Sequence, residues 1–250
     1  MNAGRVRTLH YAVNWVDQHP VTWLEDAFPA SYEVGGWTLS LSEARLDAVP
    51  SRPMSEDEAR SALTPILDTW SAAIEVEQRL VMTFFYLGAD VEQETAGAGT
   101  AASADFASAS GTAFDATVAI RRGTPPEPDW SWRDTDVTRL ARSMCLRPLR
   151  NRSRTVDDAA YWLSTHLKSW AGSDRAAAER LNVSSGYFDR ARQWGARSAE
   201  RKVSRDSQAL SMQEKEQLKS VLEELIRRLH LVESDLAPGR HLDVNDWPAS

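Results

Sequence analysis

The chain has 250 residues, 42% of them hydrophobic and 26% charged, with a net charge of −7. That is enough to bury a substantial core, in one large domain or two smaller ones. The longest apolar run, 80–89, contains Thr83 and falls far short of the ~20 residues that cross a bilayer, no apolar signal core follows the first ten residues, and the single cysteine, Cys145, excludes an internal disulfide and a multi-cysteine zinc site. A cytoplasmic protein is expected.

Leu9, Tyr11, Val13 and Trp15 alternate with polar or small residues, the pattern of a half-buried strand. Trp37, Leu39 and Leu41 alternate likewise after the turn signal Gly35-Gly36. Ser55 followed by Glu56, Asp57 and Glu58 marks a helix start, with acidic side chains at the positive end of the dipole. Leu63, Ile66, Leu67, Trp70 and Ile74 supply its apolar stripe, and Pro65 predicts a kink or a later start. Residues 80–91, rich in aromatic and β-branched side chains, read as a buried strand. Residues 95–112 are almost wholly Ala, Gly, Ser and Thr and are expected to form a mobile loop. Phe114, Ala116, Val118 and Ile120 alternate again, predicting a strand that pairs with 80–91 as a long-looped hairpin. Four strands and one long helix make an N-terminal α+β unit over 1–126.

The proline-rich break TPPEP at 124–128 leads into a mostly helical part, 130–250. Helices are predicted over 134–146, from the Thr155/Asp158 capping pair to Gly172, and from the Ser211/Glu214 capping pair onward. The last of these carries Leu218, Val221, Leu222, Leu225 and Leu229 on one face. The chain after Pro238 is expected to be irregular, with Trp247 folded back. The ten tryptophans are scattered along the chain, which favours core filling over a stacking platform.

Charge divides the chain more sharply than composition does. Residues 1–132 carry 8 basic and 19 acidic side chains, 133–205 carry 16 and 8, and 206–250 carry 5 and 9. The local balance governs partners, because screening limits exposed charges to ~8–10 Å. Arginine outnumbers lysine fourteen to two in the basic part, and its planar fork suits phosphate oxygens. Arg147, Arg150, Arg152 and Arg154 form a loop-like run broken by Pro148, while Arg197, Arg201 and Lys202 lie further along. The same arginines have a second use, pairing with the acidic first part.

Within this basic stretch, residues 174–194 (DRAAAERLNVSSGYFDRARQW) read as two short helices around a tight turn. Ala177, Ala178 and Leu181 form a small apolar face, Val183 sits at the turn and Ser184 stands where an N-cap belongs. Tyr187, Phe188 and Ala191 then continue with helical spacing, and Gly195 marks the end of the second helix. The pattern resembles a helix-turn-helix over about twenty residues. The resemblance implies that Ser185, Gly186 and Asp189, with Arg190 and Arg192 beyond them, face nucleic acid. Asn182 stands where such turns usually have glycine, and Asp189 would repel phosphate.

No catalytic constellation is legible. His10, His19, His166, His230 and His241 lack metal spacing, and Cys145 reads as a packed thiol. Residues 97–102 match a dinucleotide fingerprint with no strand before it. No cofactor is implied. The sequence thus points to an α+β protein, its antiparallel or mixed sheet and long helix preceding a helical part. The function it points to is a regulatory or adaptor role in which 133–205 contacts nucleic acid. The alternatives are an assembly protein acting through helix 211–232, on itself or another protein, and an enzyme of unrecognised type.

Overall fold

The computed structural model describes residues 5–16, 21–24, 27–78, 80–92, 120–122, 127, 131–150, 153–198 and 210–248. The expected loop 95–112, the fingerprint 97–102, the alternating residues 114–118, His19, Arg152, Arg201 and Lys202 lie outside the described residues, as do the side chains of Arg150 and Arg197. The fold is α+β. It divides into two compact units: unit 1 comprises Met1–Glu75 and Arg79–Pro128, and unit 2 comprises Val76–Gln78 and Asp129–Ser250.

Unit 1 is built on a five-stranded antiparallel sheet. Its strands are β1 (Arg5–Val16), β3 (Ala30–Val34), β4 (Trp37–Leu41), β5 (Arg45–Pro50) and β6 (Val81–Glu92), in the order β3-β4-β5-β1-β6. Alternation along β1 buries Leu9, Tyr11 and Val13, and along β4 Trp37, Leu39 and Leu41. Gly35 and Gly36 join β3 to β4 with φ of 50° and 82°, the left-handed pair a two-residue hairpin turn requires. Helix α1 (Glu56–Gln78) lays Ala59, Leu63, Leu67, Trp70 and Ile74 into the same core.

Two expectations are corrected here. Pro65 neither delays nor divides α1; it is exposed, while the stripe either side of it stays buried. The burial of that stripe outweighs one missing backbone bond. Strand β6 pairs along its length with β1, through bulges between Val6 and Thr8 and between His10 and Tyr11; of the strand expected to join it, 114–119 lie outside the described residues. Residues Ile120–Arg122 (β7) instead pair in parallel with Val21–Trp23 (β2) as a separate two-stranded sheet.

Unit 2 is helical. Thr135 caps α2 (Asp136–Ala141), which continues through a π-helical segment Arg142–Leu146 into α3 (Arg147–Arg150). The basic run 147–154 is therefore not a loop at its start, and Pro148 does not break it. Proline cannot donate to the Met144 carbonyl one helical turn back; the Arg154 guanidinium donates to that oxygen instead, at 2.8 Å. Helix α4 (Val156–Ala171) starts at the Thr155 cap and stops at Gly172, whose φ is 90°. Helices α5 (Asp174–Arg180) and α6 (Ser185–Ser198) follow, then α7 (Met212–Glu233), which starts in a complete Ser211/Glu214 capping box. Leu218, Val221, Leu222, Leu225 and Leu229 of α7 are all buried inside the chain. Among the described residues no helix is long and apolar enough to cross a membrane.

Candidate nucleic-acid interface

Ser173 caps α5, and Ala177 and Ala178 sit fully buried on its inner face. The chain leaves α5 through Asn182, whose φ of 53° is the left-handed conformation that asparagine tolerates better than most residues. Ser184 then caps α6, accepting from the Tyr187 amide at 3.1 Å. Tyr187, Phe188, Ala191 and Trp194 point into the core, and α4 packs against both α5 and α6. Gly195 does not end α6. A Cβ there would lie 2.8 Å from the Ala160 Cβ, so this glycine permits the close crossing of α6 over α4.

A buried guanidinium locks the turn. Arg228 of α7, 2% exposed, donates through Nη1 to the Leu181 and Asn182 carbonyls, both at 3.0 Å. Its Nη2 donates to the Arg240 carbonyl at 2.8 Å, and its Nε to Glu224 at 2.7 Å. Burial alone would raise the Glu224 carboxyl, but hydrogen bonds from Arg227 and Arg228 hold it below the usual carboxylate range. The orphan carbonyls at the end of α5 are thus satisfied from another helix.

The sequence-predicted basic residues have diverse environments. Arg147 is exposed on α3, whereas Arg154 is committed to the Met144 carbonyl. Ser185 is exposed at the start of α6. Arg190 lies over the rings of Trp194 and Trp247, 5.1 and 4.6 Å from their centroids. Arg192, half exposed, stands 3.4 Å from Asp189 and 3.9 Å from Asp174. Between α5 and α6 runs an open groove of about 600 Å³, lined by Ala178, Val183 and Phe188 with Asp174, Glu179 and Asp189 at its sides.

The feature sequence reasoning missed is the segment that follows α7. Residues 239–248 form a strap across the turn and the start of α6. The Leu242 amide donates to the Asn182 carbonyl at 3.2 Å, and the Ser184 amide donates to the Leu242 carbonyl at 2.7 Å. The Ser184 hydroxyl donates to Asp243 at 3.1 Å. Val244 fills the space beside Gly186, where a Cβ would lie 2.7 Å from its Cγ2. Trp247 is buried against Tyr187 and Trp194. The only sequence signals were Trp247 and the Asp243-to-Asp246 spacing of a capping box, which closes a short 3₁₀ turn, Val244–Asp246.

The histidines form no metal cluster among the described residues. His10 lies between Asp47 and Asp90, at 2.7 and 3.2 Å, with Arg45 at 2.8 Å, across adjacent strands of the unit 1 sheet. His166 stacks on Trp162 and bonds the Val137 carbonyl. Cys145 is fully buried, its thiol pushed up to about 12 by burial, which leaves it a packing group. No protein-family profile, curated protein or solved structure matches this chain.

Proposed function

We propose that this chain is a regulatory or adaptor protein whose unit 2 contacts nucleic acid through its basic helical region. One observation carries the reading. Helices α5 and α6 meet through a left-handed residue at Asn182, with α4 across both, inside a stretch holding sixteen basic and eight acidic side chains. That is the helical arrangement, and the charge, that nucleic-acid backbones favour. Exposed Arg147 and half-exposed Arg192 supply forks for phosphate oxygens.

The test is titration of the full chain with a labelled 20-base-pair duplex across a range of salt. Binding should weaken linearly in log–log form, with a slope of roughly −3 to −5 if four or five phosphates are neutralised. Arg192→Ala should reduce that slope by about one. No binding at about 50 mM salt would overturn the reading. The alternative is then a protein-interaction role, favoured by Phe85, Leu87 and Val91, which stand exposed on β6 at the end of the five-strand order.

A further inference from the structure

A phosphate at a helix start is held by backbone amides and a capping hydroxyl. At the start of α6 two such donors are already engaged, and the strap supplies both acceptors. The Ser184 amide meets the Leu242 carbonyl, and the Ser184 hydroxyl meets the Asp243 carboxylate. Val244 covers Gly186 beside them. On the next turn Trp247 lies against Arg190, one of the two arginines that the helix-turn-helix resemblance turns toward nucleic acid. Asp246 adds a second carboxylate, paired with Arg240 at 2.8 Å. One short segment thus places an anion at the helix start, a side chain over the glycine and a ring under the arginine.

We propose that residues 239–248 are an autoinhibitory strap, standing in for a nucleic-acid backbone at the start of α6 and lifting when a phosphate takes the place of Asp243. The proposal rests on the nucleic-acid reading above. Lifting exposes Leu242 and Trp247, each 9% or less exposed when seated, so the seated state is favoured. If the lifted state holds only about one molecule in a hundred to a thousand, apparent affinity is lowered by that same factor. Lifting frees the Ser184 amide, the Asn182 carbonyl and the Arg228 Nη2 that donates to the Arg240 carbonyl, and water or phosphate must then satisfy them.

The strap can be locked in place in the full chain. Gly186→Cys with Val244→Cys puts two thiols at a spacing compatible with a disulfide, and buried Cys145 does not compete. Duplex binding should be at least tenfold weaker in the oxidised protein than in the same protein reduced. Asp243→Asn, which keeps the strap's shape, should bind three- to tenfold more tightly than wild type. Equal binding by oxidised and reduced forms overturns the strap while the nucleic-acid reading stands. Absence of binding by every form, reduced and Asp243→Asn included, overturns the nucleic-acid reading itself. Hydrogen exchange gives a readout that needs no nucleic acid. The Ser184 amide should exchange well before the α4 amides around Leu163; exchange as slow as theirs means the strap does not lift, and the proposal falls.

Discussion

His230 shows what a single buried side chain does to the response of this fold to acid. It is fully buried beside the Trp132 ring, neither ring nitrogen has a hydrogen-bond partner among the described residues, and burial, aided by the Arg142 cation, pushes its pKa down to about 3 against the pull of Asp134. The folded protein therefore keeps His230 neutral while the unfolded chain protonates it below about 6.5. Its stabilising share is complete above pH 6.5 and is lost as pH falls toward 3, at about 1.4 kcal/mol per unit. His230→Phe, which sacrifices no hydrogen bond, should flatten the urea-measured stability between pH 6.5 and 5 by about 2 kcal/mol relative to wild type. Arg228 is the opposite kind of residue, since every bond it makes is structural. Arg228→Met should cost about 3–5 kcal/mol in urea unfolding, because it removes a donor from three carbonyls, of which Asn182 keeps the Leu242 amide, and leaves Glu224 without its buried partner. Arg228→Lys should recover only part of that, since one ammonium cannot span the same three oxygens.

At the scale of elements, legibility followed the strength of local chemistry. The caps at Thr155 and Ser211, the stop at Gly172 and the Gly35-Gly36 turn all lie where the sequence placed them, because each is decided by residues within one turn of chain. Pro65 and Pro148 misled because tertiary bonds override a local penalty: a buried stripe carries α1 past one, and Arg154 compensates for the other. Pro65 is exposed, so Pro65→Ala restores a backbone bond and sacrifices no packing. It should raise stability by about 2 kcal/mol, read as a higher urea midpoint with an unchanged slope. Gly195 misled for a third reason, since a glycine chosen for closeness to α4 looks the same in sequence as one chosen to end a helix.

At the scale of the whole molecule, the α+β order of sheet then helices was readable from periodicity and from the shift in charge near residue 132. The pairing of β6 with β1 was not, because nothing local distinguishes one alternating partner from another seventy residues away. The candidate interface was legible in its two helices and its turn. It was illegible in what covers them, because the strap meets the turn sixty residues downstream of it.

That separation also orders events in time. At a synthesis rate of about 5–20 residues per second, Leu242 emerges some 3–12 seconds after Asn182. The five strands of unit 1 are all made before any of this, within residues 5–92. A newborn chain thus passes through an interval in which α5 and α6 exist while the turn between them has neither Arg228 nor Leu242 to bind it, and the start of α6 is open to whatever anion it meets first.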